Sequence, residues 1–183
     1  MKRIVHCYLI CFILLSIALT SCSDLSSSDV ETLLTDAKVY PLNVEYKMFC
    51  NGDEYVQEVI KKKLVENGFV TAQIKHTMQD MGKPLIYFTD KATPYLIPTS
   101  DTLKSFDIQR IRMAEEVFLH VQNIEINPSG NKAVVDYSTK IVNPTPFIVL
   151  YDEEVEGEKK RRTFFTRKDN KWTWDGKIIK MLK

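Results

Sequence analysis

The C-terminal half of the chain alternates, and that alternation limits its fold more than any other feature. Val135, Tyr137, Thr139 and Ile141 are separated by charged or hydroxylic residues. A period of two places them on one face of a β-strand. Asn127-Pro128-Ser129-Gly130-Asn131-Lys132 forms a strong turn before this segment, and Asn143-Pro144-Thr145-Pro146 breaks it afterwards. Phe147 to Tyr151 is predicted as a further strand and Asp152 to Lys160 as a charged loop. Thr163 to Arg167 and Lys171 to Trp174 then pair across Lys168-Asp169-Asn170 as a final hairpin. Strands joined by turns this short pair antiparallel, so the C-terminal half reads as a meander. Asp107 to Val121 supports two readings. Ile111, Ala114, Val117, Phe118 and Val121 fit a helix, whereas Val117, Leu119 and Val121, followed by Ile124 and Ile126, fit a strand. The second half is read as strand.

Helical signals concentrate in the N-terminal half. Val30, Leu33, Leu34 and Ala37 recur at helical spacing after a serine run that can cap them, and Pro41 stops the segment. Leu42 to Tyr46 alternates as a strand. The clearest helix follows, with Asn51 as its expected cap and Glu54 completing a capping box. Tyr55, Val56, Val59, Ile60 and Leu64 form its apolar stripe, and Asn67-Gly68 closes it. Val70, Ala72 and Ile74 predict a strand, Met81 to Pro84 a turn, and Leu85 to Phe88 a returning strand. The class expected is α+β: N-terminal helices with a short helix-strand-strand unit, then the antiparallel β-meander.

The first residues carry a different signal. Lys2 and Arg3 precede an apolar run from Ile4 to Leu19, about 16 residues and shorter than the roughly 20 needed to span a bilayer core. Leu19-Thr20-Ser21-Cys22 follows, an aliphatic residue and two small ones before a cysteine. This resembles the lipobox of bacterial lipoproteins. The resemblance implies that residues 1–21 are a signal peptide and that the thiol of Cys22 receives a diacylglycerol. Cys22 then becomes the acylated first residue, with 22–28 as a tether and 29–183 as the folded domain (subdomains 29–100 and 101–183 being an option). Acyl chains bury about 0.8 kcal/mol per CH₂, so two or three of them hold a protein at a membrane. Asp24 is one position too late for the inner-membrane retention rule, which implies the outer membrane, facing the periplasm, in a Gram-negative source. A plain secretory peptide, with Cys22 left as a thiol, is the competing reading.

Cleavage after Ser21 would leave 162 of the 183 residues, with 23 basic and 24 acidic residues and a net charge of −1. A chain near neutrality has no broad field for gathering nucleic acid or anionic lipid. Cys7 and Cys11 leave with the signal and Cys22 takes lipid, so Cys50 has no partner for an internal disulfide. A small buried hydrophobe is its expected role, against a reactive thiol.

Motifs for chemistry are scarce. The six glycines fall at predicted turns and none forms a phosphate-cradling loop. His76 and His120 lie in different elements, with no cysteine pair at zinc spacing, so no metal or other cofactor is expected. Glu115-Glu116 and Asp152-Glu153-Glu154 read as solvated carboxylates. The helix-strand-turn-strand order from Asp53 to Phe88, with Lys61, Lys62 and Lys63 on its helix, has the order of a winged helix. Export past the membrane argues against nucleic acid as a partner and for a solvated lysine face.

Tyr87 to Ile97, with Phe164-Phe165 and Trp172-x-Trp174, is similar to a pattern in small bacterial lipoproteins that carries no activity with it. Tyr87, Tyr95, Trp172 and Trp174 are the candidate lining of a ligand groove, against the alternative that they fill a core. The order of helices and meander is also similar to cystatin-like and nuclear-transport-factor-like folds, whose concave sheets bind varied ligands. The expected role is a lipid-anchored envelope protein, a non-enzymatic binding or structural module meeting an envelope partner. An envelope hydrolase or small-ligand binder with an aromatic pocket is the alternative.

Overall fold

A computed structural model describes residues 24–79 and 81–181. The signal segment and Cys22 lie outside these described residues. β-Strands are the main regular structure of the described chain: a few short helices accompany one large antiparallel sheet with strand order β1-β5-β6-β7-β8. Its strands are β1 (Leu42–Phe49), β5 (Ile108–Ile126), β6 (Lys132–Val142), β7 (Glu158–Lys168) and β8 (Lys171–Lys180). A two-residue strand, β4 (Leu96–Ile97), lies beside the start of β5, and β2 (Val70–Ala72) pairs with β3 (Ile86–Phe88) as a separate hairpin. The helices are α1 (Ser27–Asp36), α2 (Asp53–Lys61) and the single turn α3 (Asp101–Lys104).

β5 is the spine, and its length makes the segment 108–121 strand throughout, after a turn at Asp107. Three positions of β5 have no opposite residue. Met113 is extra against β1, Leu119 and Gln122 against β6. Each such bulge adds twist and bends the strand. Each also slips the inward phase by one, so Ile111 and Met113 face inward, then Ala114 and Glu116. Apolar spacings of three and four result from these slips. They mimic a helix.

Other local expectations shift for identifiable reasons. Ser26 caps α1 reciprocally with Asp29: the Asp29 amide donates to Ser26 Oγ at 3.2 Å, and the Ser26 amide donates to Asp29 Oδ2 at 2.9 Å. α2, however, is capped by Gly52, not Asn51, without a side-chain cap bond. A Cβ on Gly52 would sit 2.9 Å from both the Phe49 and Tyr55 rings, so glycine there lets the two rings meet. α2 stops at Lys61; Lys62 is its C-cap and Lys63 takes a positive φ of 60°, so the three lysines do not share a helical face. β2 ends at Ala72, leaving Ile74 63% exposed. Phe147 to Tyr151 is not a strand. Thr145 caps a 3-10 helix over Pro146–Leu150, with proline where its fixed φ suits the first helical turn. Gly176, with φ +76°, lies within β8, where three residues oppose Phe164, so it serves a bulge and not a turn.

Two apolar clusters line the sheet. The first joins Met48, Val56, Val59, Leu64, Phe69 and Leu85 to Ile111 and Phe147, whose ring meets Phe69 at 5.5 Å and Tyr95 at 6.0 Å. The second places Val30 and Leu34 of α1 against Ala133, Val135, Tyr137 and Phe165. Both clusters draw residues from either side of position 100.

Candidate functional site

Between the two clusters the sheet carries a buried polar group built around Glu116, one of the carboxylates expected in solvent. Glu116 is 5% and Arg161 4% exposed. Arg161 donates to Glu116 through Nε at 2.7 Å and Nη2 at 3.0 Å, and its Nη1 donates to the Lys160 carbonyl at 3.1 Å. Thr139, on the strand between them, donates to Glu116 Oε1 at 2.5 Å. Glu116 is therefore no solvated carboxylate; its neighbour Glu115 is half-buried, accepting from Arg112 at 2.8 Å and Asn143 at 2.8 Å. Beside the pair, the Tyr40 and Tyr137 hydroxyls share a hydrogen bond at 2.9 Å. Burial first, with the Glu116 charge adding to it, pushes both phenols above their ordinary value. Burial opposes the charge on Arg161, but the bonds to Glu116 outweigh it and hold the guanidinium above its usual value. Donors and acceptors here engage one another. The group ties β5 to β7 across β6.

A second arrangement is open to solvent. Glu54, Tyr55, Gln57, Glu58, Lys61 and Lys62 follow one another at helical spacing along α2 and its C-cap, while Val56 and Val59 on the other side are buried. With Tyr46 of β1 and Asp152, these residues line a groove of about 600 Å³, within the roughly 300–1,000 Å³ usual for small-molecule sites. Tyr46 donates its hydroxyl to Glu58. Burial, then that bond and the Glu58 charge, push the Tyr46 phenol well above its ordinary value, so it remains a donor. The Tyr55 ring is held edge-on between Tyr46 at 6.2 Å and Phe49 at 6.3 Å. Two rings fixed by packing and five charged side chains thus converge on one open surface.

The four aromatic residues expected to line a groove are not brought together. Tyr95 is half-buried in the first cluster against Phe69 and Phe147, and Tyr87 is exposed on β3. Trp172 and Trp174 pack in the second cluster, where Trp174 Nε1 donates to Thr163 Oγ1 at 2.6 Å. Trp172 Nε1 is enclosed without a hydrogen-bond partner among the described residues, and the Arg167 guanidinium lies 5.9 Å from its ring centre. Cys50 is buried, and burial first, with the Asp107 charge second, pushes its thiol up to about 11. His76 pairs with Asn51 Oδ1 at 2.9 Å, and His120 lies 3.9 Å from Glu158 on the surface. Among the described residues, no group of three or more His, Cys, Asp or Glu side chains is placed to hold a metal ion. No helix among them is long and apolar enough to cross a membrane.

The α2 groove was legible only in part. Its helical spacing places Tyr55 in the apolar stripe, and nothing in the sequence joins Tyr46 to Glu58. Comparisons with protein-family models, curated proteins and solved structures return no match to this chain.

Proposed function

We propose that this chain is a lipid-anchored envelope protein whose folded part is a non-enzymatic binding module. The α2–β1 groove is the observation that carries the binding half of this reading. Its two aromatic rings are locked by neighbours, so little freedom is lost when a ligand settles on them. The α+β layout supports it, since α2 supplies one wall of the groove and Tyr46 of β1, with Asp152, the other. Glu116 and Arg161 are assigned to stability, because their hydrogen bonds are spent on each other. Anchoring rests on Leu19-Thr20-Ser21-Cys22, and in a Gram-negative source it puts the module on the outer membrane, facing the periplasm.

Two measurements test the two halves. Labelled palmitate should enter the wild-type chain and be lost from Cys22→Ser; retained label in that variant ends the anchoring claim. A photocrosslinking residue at the exposed Gln57 should give a discrete adduct in intact cells, while the same residue at Ser129, in the β5–β6 turn, should not. Equal labelling from both positions ends the binding claim.

A further inference from the structure

We infer that the α2–β1 groove takes a neutral saccharide, stacked on Tyr55 and hydrogen-bonded by the carboxylates, amide and ammonium groups around it. This rests on the binding-module reading above and names its ligand class.

Three properties of the lining point this way. The first is charge. Glu54, Glu58 and Asp152 line it together with Lys61 and Lys62, a near balance of signs within one small groove. An anionic or cationic ligand would meet its own sign on part of that lining, whereas a neutral ligand meets no like-charge repulsion. The second is hydrogen-bonding character. Carboxylates only accept, ammonium groups only donate, and Gln57 does both. A sugar hydroxyl both donates and accepts, so each can be satisfied by a mixed lining of this kind. Glu58 accepts from Tyr46 with one oxygen, Oε2, and a carboxylate has capacity for several more donors. The third is the rigid aromatic surface. Tyr55 is held by Phe49, Tyr46 and the close approach of Gly52, presenting a ring whose position is fixed before a ligand arrives. The C–H face of a pyranose is apolar and covers such a ring while its hydroxyls point to the rim. A groove open to solvent also accommodates a chain that continues past the site.

The test uses the full chain, purified from membranes in a detergent without a sugar headgroup. Neutral glucose, xylose and N-acetylglucosamine oligosaccharides, from disaccharides upward, are titrated by calorimetry. Saturable binding of at least one series is expected. Tyr55→Ala should weaken it by about tenfold or more, the loss of one aromatic contact and its hydrogen-bond frame, while Tyr55→Phe keeps the ring and most of the affinity. Glu54→Ala and Gln57→Ala alter exposed side chains and should weaken binding without changing the unfolding midpoint. This keeps the test valid should Tyr55→Ala fold poorly. The proposal is overturned by absence of binding in every series, or by binding that Glu54→Ala, Gln57→Ala and Tyr55→Ala leave unchanged. A persisting Gln57 adduct in cells beside absent sugar binding leaves the module with a ligand of another class. Loss of both ends the module reading as well.

Discussion

Arg161 and Arg162 are neighbours on β7, and each forms a two-pronged pair with a carboxylate. Alternation along the strand sends them to opposite faces of the sheet. Arg161 turns inward, where it and Glu116 keep only 5% and 7% of their side-chain surface. Arg162 turns outward to Asp136, its direct cross-strand partner, at 2.6 and 2.8 Å, with 38% and 18% of the two side chains exposed. The bond lengths are alike. The surroundings are not, because solvent reaches the outer pair far more than the inner one. Two ion pairs of similar geometry in one strand therefore separate the effect of burial from that of the contact itself.

The sharpest way to break this comparison is to remove one inner partner. Glu116→Ala leaves the Arg161 guanidinium buried and unpaired, and a loss of about 3–5 kcal/mol in urea unfolding is expected. Asp136→Ala should move the midpoint far less. Replacing both inner partners, Glu116→Leu with Arg161→Met, should recover most of the loss, since apolar groups of similar volume leave no charge to desolvate. An equal cost for Glu116→Ala and Asp136→Ala would show that burial is not the deciding factor. Next in size is Thr139→Val, which keeps the shape but withdraws a donor from the buried carboxylate, at about 2 kcal/mol.

Glu116 also shows what could be read from the sequence and what could not. The Ser26 cap, the 127–132 turn and the final hairpin depend on residues within a few positions of one another, and all three are visible as patterns. The hairpin itself extends further, with Phe165 opposite Trp174 and Arg161 opposite Lys180. Glu116 depends on Arg161, 45 residues away, and on the phase of a strand that slips at Met113, Leu119 and Gln122. No single period follows three slips, so its inward position was hidden, and beside Glu115 it looked solvated. The groove was hidden for a related reason. Tyr46 and Glu58 lie on a strand and a helix joined through Gly52, and only the tight approach of Phe49 and Tyr55 at that glycine brings them together.

A smaller effect separates two tryptophans on β8. Trp174 donates to Thr163, inward on β7, whereas the enclosed indole N–H of Trp172 has no partner among the described residues. Phenylalanine removes the same atoms at either position, so the difference between variants isolates the hydrogen bond. Trp174→Phe should cost about 1 kcal/mol more than Trp172→Phe. Equal losses would mean that ring volume alone matters there.

The outer pair has its own signature, in pH. Hydrogen bonds from Arg162 hold the Asp136 carboxyl below its ordinary 3.8; partial burial opposes this, and the charges of Arg162 and Lys160 add to it. With the folded value below the unfolded one, the unfolded chain binds the proton more readily as acid is added. The contribution is therefore fully present well above pH 3.8 and is lost as pH falls below 3.8 through the folded value. Asp29 and Glu153 are lowered as well, the first by Ser26 and the second by Lys180, so wild-type stability should fall on acidification through several groups together. Asp136→Asn keeps the shape and removes one of these groups. Its unfolding free energy should fall less steeply than wild type below pH 3.8, with the two slopes converging near neutrality. Raised salt should shrink that difference, because ions screen a pair that water can reach. The same salt should leave the loss in Glu116→Ala nearly unchanged. A salt response of equal size on both faces would remove the distinction between the two arginines.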